Sequence, residues 1–168
     1  MNEFIRIRFS TVLLACSLVL IAMIACADID VEYYDNGQKR SEYTMKDGDE
    51  HGPSKRWHKN GKLAAEGHWN RGDHTGKWMF WYENGQIEEE RDYRRSTGSY
   101  YYSLTYYENG NKKEEQILKA DIQGYFVKMW YDTEELSAEG ETRGLRYSGE
   151  WTFYNKDGTV FEVKDFGY

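Results

Sequence analysis

One short phrase, repeated, constrains this chain more than any other feature. An aromatic pair leads into Asn-Gly or a near variant of it. The copies are Tyr33-Tyr34-Asp35-Asn36-Gly37, Trp57-His58-Lys59-Asn60-Gly61, Trp81-Tyr82-Glu83-Asn84-Gly85 and Tyr106-Tyr107-Glu108-Asn109-Gly110. A degenerate copy follows at Trp130-Tyr131-Asp132-Thr133-Glu134, and a last one at Phe153-Tyr154-Asn155-Lys156-Asp157-Gly158. The turn positions 37, 61, 85, 110, 134 and 158 advance by 24, 24, 25, 24 and 24 residues. A fixed period of this length signals a repeat architecture, in which each unit buries its apolar surface against its neighbours.

Each unit reads as strand, tight turn, strand, looser turn. Aromatic residues crowd the first half, as in Trp78-Met79-Phe80-Trp81-Tyr82, which suits a pleated, half-buried strand. Asn-Gly then gives the strongest short hairpin signal, predicting a two-residue turn with positive φ. Looser polar turns such as Asn70-Arg71-Gly72-Asp73-His74-Thr75-Gly76 join one unit to the next. Six units predict an all-β, elongated, single-layer antiparallel array of about twelve strands. Helix is a poor alternative, because no apolar stripe at helical spacing survives for more than two turns. Gly37, Gly61, Gly85, Gly110 and Gly158 are the turn glycines.

The register of a two-residue turn assigns faces. The first residue of the phrase is aromatic in all six copies (Tyr33, Trp57, Trp81, Tyr106, Trp130, Tyr154). Five residues after each turn stands a Glu in five copies: Glu42, Glu66, Glu90, Glu115 and Glu139, with Val163 in the sixth. These two rows are expected on one face. Leu63, Ile87, Leu136 and Val160 are expected on the other, with Met45, Trp69, Tyr93, Leu118 and Phe166. A bulge would exchange some of these positions.

The aromatic row is the candidate binding surface. Trp57, Trp81, Tyr106 and Trp130 at a regular step form either a platform for sugar rings or partner side chains, or the core of the array. The glutamates repeat in every unit, whereas chemistry needs one asymmetric site, so they are expected to hydrogen-bond turns or neighbouring Tyr hydroxyls. His51, His58, His68 and His74 cluster in one repeat and its flanks, but lack metal-ligand spacing and read as turn and strand residues. No thiol nucleophile, phosphate loop or nucleophile elbow is evident. A non-enzymatic protein without cofactor or metal is expected.

Residues 1–27 read as an export signal and residues 28–168 as the repeat domain. Arg6 and Arg8 precede an uncharged apolar run from Phe9 to Ala25 and a small-residue exit. Two exits overlap. Ala25-Cys26-Ala27 suits ordinary signal peptidase, whereas Met23-Ile24-Ala25-Cys26 resembles a lipobox that would make Cys26 a lipidated N-terminus. Cys16 lies inside the signal, so the exported chain has no pair of thiols for a disulfide. The chain has net charge −7, and removal of residues 1–25 (Arg6, Arg8 and Glu3, together +1) leaves −8. Such a surface disfavours nucleic acid and suits a basic or amphipathic partner.

The repeats resemble MORN-type repeats, in particular a bacterial variant marked by "YENG" or "YxNGK" at each hairpin. The motifs that carry the resemblance are Trp81-Tyr82-Glu83-Asn84-Gly85-Gln86 and Tyr106-Tyr107-Glu108-Asn109-Gly110-Asn111, with the spacing of Asn70, Gly72 and Gly76. Glu134 in place of Gly and the turn around Ser96-Thr97-Gly98 depart from the pattern. Many such bacterial chains are grouped as YwqK-like antitoxins. The resemblance implies an elongated β-array acting as a binding surface, with a protein partner such as a toxin. With the signal, it points to an exported, lipid-anchored, immunity-type binding module at the cell envelope. The alternative is a glycan or cell-wall binder using the aromatic row. Outer strands leave edges for pairing, so the oligomeric state stays open.

Overall fold

A computed structural model describes residues 5–9, 28–93 and 100–167. Its strands are β1 (Ile5–Phe9), β2 (Asp28–Tyr33), β3 (Lys39–Lys46), β4 (Asp49–Trp57), β5 (Leu63–Asn70), β6 (Asp73–Trp81) and β7 (Ile87–Tyr93). They continue with β8 (Tyr102–Tyr106), β9 (Lys112–Lys119), β10 (Gly124–Trp130), β11 (Leu136–Arg143), β12 (Arg146–Tyr154) and β13 (Val160–Asp165). All lie in one open sheet in sequence order, every neighbouring pair antiparallel. Six hairpins account for β2 to β13, the repeat array expected from the period. The additional strand, β1, runs along β2 from within the segment read as a signal. Its sequence Ile5-Arg6-Ile7-Arg8-Phe9 alternates apolar and basic residues, the two-residue period of a strand. Cys16, Cys26, the signal exits and the turn at Ser96-Thr97-Gly98 lie outside the described residues.

The repeated turn differs from the two-residue form that Asn-Gly suggests. In the first hairpin the Tyr34 N–H donates to the Gln38 carbonyl (2.8 Å) and the Gly37 N–H donates to the Tyr34 carbonyl (3.0 Å). The same pair of bonds recurs in the other five hairpins. Only the last loop residue has positive φ, from +80° at Gly158 to +94° at Gly85, with Glu134 at +81°. This is a three-residue loop, a turn followed by a left-handed residue that bulges the second strand. Asn is kept for its side chain rather than for positive φ.

The tight two-residue turns lie on the opposite edge, where looser turns are expected from the sequence. Asp47 and Gly48 join paired Lys46 and Asp49, and Arg71 and Gly72 join paired Asn70 and Asp73. All four have positive φ, the two-residue primed turn that matches strand twist.

The loop exchanges one row between faces. The three-residue loop sets Leu63 opposite Trp57, and the next pair, Arg56 with Ala65, skips Ala64 and returns the rest of β5 to the expected faces. Leu63, Ile87, Leu136 and Val160 therefore share a face with the aromatic row, correcting the expectation that they oppose it. The glutamate row remains on the aromatic face, because Lys55 pairs with Glu66 and Met79 with Glu90. We call this the ring face. The other, the core face, carries most of the deeply buried apolar side chains: Ala65, Trp78, Tyr93, Val127, Ala138 and Trp151.

Candidate binding faces

The ring face presents Trp57, Trp81, Tyr106 and Trp130, each half-buried, one per hairpin. Successive rings are two strands apart, about 10 Å at the usual strand spacing. They are neither fully core nor a bare platform. Lysines lie over two of them, with Lys39 Nζ 5.2 Å from the Trp57 ring and Lys112 Nζ 5.6 Å from the Trp130 ring.

The glutamates lie between the rings and are tied down as expected. Tyr106 Oη donates to Glu90 Oε1 (2.7 Å), Tyr154 Oη to Glu139 Oε1 (2.7 Å) and Tyr102 Oη to Glu115 Oε1 (3.2 Å). Burial first, and then the charge of Glu115, push the Tyr102 phenol up to about 12. Burial and the bond to Glu90 raise Tyr106 in the same way. Lys55 and Lys128 pair with Glu66 (3.7 Å) and Glu139 (3.5 Å). Neutralising partners thus relieve the repulsion that a carboxylate row would suffer. Two shallow hollows open here. One, about 390 Å³, includes Lys55, Glu66, His68 and Met79 in its lining. The other, about 180 Å³, includes Lys77, Glu90, Asp92 and Tyr102.

Along the turn edge, the second and fourth residues of the phrase bind successive repeats together. Tyr34, Tyr82, Tyr107 and Tyr131 donate their hydroxyls to the carbonyls of Trp57, Tyr106, Trp130 and Tyr154 at 2.7–2.8 Å. In the second repeat His58 Nε2 lies 2.7 Å from the Trp81 carbonyl, so Nε2 carries the proton. Each Asn works in two directions. Asn60 Oδ1 accepts from the Lys62 N–H within its own turn (3.0 Å), while Nδ2 donates to the Glu83 carbonyl in the next (2.9 Å). Asn36, Asn84 and Asn109 do the same. The phrase is therefore a connector between repeats as well as a turn.

On the core face, two joints have one design. Trp78 is 1% exposed and Trp151 is 0% exposed. Each indole lies on a glycine of the preceding hairpin. A Cβ on Gly67 would fall 2.2 Å from Trp78, and one on Gly140 would fall 2.4 Å from Trp151. Trp78 Nε1 donates to the His68 carbonyl (3.1 Å), and Trp151 Nε1 to the Glu141 carbonyl (2.7 Å). A second ring covers each indole, His74 at 4.2 Å and Tyr147 at 4.1 Å between centroids. Phe80 and Phe153 stack beside them at 6.0 and 6.1 Å.

At the joint between the third and fourth hairpins the core face turns polar. Arg91 Nε donates to Glu89 Oε1 (2.6 Å), which also accepts from Ser103 Oγ (2.7 Å). The guanidinium donates to Tyr93 Oη (3.3 Å) and lies 5.2 and 5.5 Å from the Phe80 and Tyr100 rings. Burial opposes its charge, but the bonds to Glu89 and Tyr93 outweigh that and hold its pKa above the usual guanidinium value.

The histidines are spread out: His58 in the turn ladder, His68 on the ring face, His74 among core-face aromatics and His51 near Asn70 and Arg71. Among the described residues no group of three His, Cys, Asp or Glu is placed to hold a metal ion. Reading the sequence missed the Trp–Gly joints and Arg91. Gly67 to Trp78 and Gly140 to Trp151 are both 11 residues, a spacing that was there to be found.

The family model described as MORN repeat variant matches residues 31–47, 50–71 and 75–95. Those segments fall on the first three hairpins. No curated protein matches the chain.

Proposed function

From the premise that this chain carries MORN-variant repeats in its first three hairpins, we propose that it is a non-catalytic binding module whose ring face docks a protein. The observation that carries the proposal is the arrangement of that face. One half-buried ring per hairpin alternates with a row of glutamates, around two shallow hollows lined by charged and apolar side chains. Rings supply buried area at low entropic cost, and the glutamates suit cationic side chains between them. With an export signal and a lipid on Cys26, the module acts at the cell envelope, where an acidic scaffold masks a basic incoming protein in the manner of an immunity factor. This placement rests on the sequence of residues 1–27 alone.

A photo-crosslinking residue placed separately at Lys77, on the ring face, and at Arg56, on the core face, tests the docking surface in cells. A discrete protein adduct from Lys77 and none from Arg56 is the expected result. An adduct from Arg56 alone would move the site to the other face. Sedimentation of the chain with purified peptidoglycan, lost in Trp81→Ala, would favour the cell-wall reading instead. Fractionation and intact mass of the wild type beside Cys26→Ser address anchoring. The expected product is membrane-bound, with a lipid-sized mass increase that the variant lacks.

A further inference from the structure

The sixth hairpin lacks both turn-edge donors that elsewhere face a following repeat. Where four repeats have a Tyr hydroxyl and one a His donor, it has Asn155, whose Nδ2 donates to Thr159 Oγ1 within the same turn (3.0 Å). Where four repeats have the donor amide of Asn, it has Asp157, which only accepts, from the Thr159 N–H and hydroxyl (2.9 and 2.6 Å). Both cross-repeat donors are thus absent or turned inward, and a further repeat stacked in the same manner would find no ladder to join.

Yet β13, the outer strand, is not blunted. Val160 is 55% exposed, Phe161 70% and Val163 54%, and Val163 occupies the row that is Glu in the other five repeats. Apolar residues on an outer strand invite pairing with another strand. The Phe166 N–H donates to the Gly149 carbonyl, inward toward β12 (2.9 Å). Alternation along the strand therefore turns the N–H and C=O of Val163 and Asp165 outward.

The strand is also complementary to itself about a two-fold axis through Val163. In that antiparallel register Val163 meets its own copy, Glu162 faces Lys164 of the second copy, and Lys164 faces Glu162. Two opposite-charge cross-strand pairs flank an apolar centre, the arrangement that stabilises sheet pairs. We propose that β13 pairs with β13 of a second copy to form a closed two-fold dimer. The two sheets then join into one, and two ring faces are carried on a single particle. A closed two-fold contact uses one patch on both partners, so association stops at two.

The test uses the exported chain in a Cys26→Ser background. Sedimentation equilibrium should report a dimer. Val163→Cys should oxidise to a single disulfide-linked dimer, because directly opposed residues lie about 5.5 Å apart between Cα atoms. Asp165→Cys should not, because its copies would be about 13 Å apart at the rise of a strand. Glu162→Lys or Lys164→Glu alone should shift the dimer constant at least tenfold toward monomer, and the double exchange should restore it. A monomer at all concentrations would overturn the proposal. So would growing head-to-tail oligomers, or equal crosslinking by Val163→Cys and Asp165→Cys.

Discussion

The joint between the second and third hairpins and that between the fifth and sixth repeat one construction, whereas the joint between the third and fourth replaces it. In the first two, a Trp fills the space left by a Gly and donates its indole N–H to a carbonyl, with a second ring on top. In the third, the same places are taken by Ser103 and Arg91, with Glu89 accepting from both. The backbone hairpin is alike in all three, and each joint has a ring donor on the turn ladder (His58, Tyr82 or Tyr131), although Thr133 stands where the other two have Asn. A repeat protein can therefore keep one backbone connection while varying the chemistry between neighbours, and each joint sets its own local stability. The Trp–Gly joints depend on shape, and the central joint depends on a closed set of hydrogen bonds.

The sharpest way to break this comparison is to fill the glycine. Gly67→Ala or Gly140→Ala must displace a fully buried indole, and each should cost about 3–5 kcal/mol in urea denaturation, the range for losing a buried Trp. At the central joint, Arg91→Met should cost about 1–2 kcal/mol by stranding the partly buried Glu89 carboxylate. Glu89→Leu with Arg91→Met should recover most of that loss, since removing both partners is far cheaper than removing one. On the shared ladder, Tyr82→Phe should cost about 1 kcal/mol, the worth of one hydrogen bond, whatever the chemistry of the nearest joint. Glu134→Gly should add about 1 kcal/mol, because a left-handed residue with a side chain gives way to one without strain.

The smallest effect distinguishes the two Trp joints from each other. Burial first, and then Arg56 and Arg91, lower the His74 pKa below its ordinary 6.5. The folded state then binds fewer protons than the unfolded one, so stability falls as pH drops below 6.5 toward the folded-state pKa. The equivalent ring at the other joint is Tyr147, a phenol rather than an imidazole. His74→Tyr should remove the corresponding part of the acid sensitivity, followed by thermal midpoint between pH 7 and 5.

Much of this was legible in the sequence, because the turn phrase is both periodic and chemically specific. The hairpins followed from it, and so did the sharing of one face by the aromatic and glutamate rows. The form of the turn was not legible. Asn-Gly permits two-residue and three-residue loops, and the three-residue form is kept even where Thr133-Glu134 and Asp157-Gly158 replace the dipeptide, so the dipeptide alone does not decide it. That loop carries Leu63 and its equivalents to the ring face, and the bulge beyond it returns Glu66 there, which no single-hairpin pattern reveals. The Trp–Gly joints were hidden for a related reason. Gly67 and Trp78 belong to different units, so reading one unit at a time separates the partners.

Residue-resolved hydrogen exchange under native conditions tests the account most directly. Amides in the pairs β5–β6 and β11–β12, around Trp78 and Trp151, should exchange slowest. Those of β7–β8, around Arg91 and Ser103, should exchange at least about tenfold faster, which corresponds to about 1.4 kcal/mol in opening free energy. Equal protection across the three joints, or slowest exchange at the central one, would contradict the claim that side-chain chemistry at each joint sets the stability of the array.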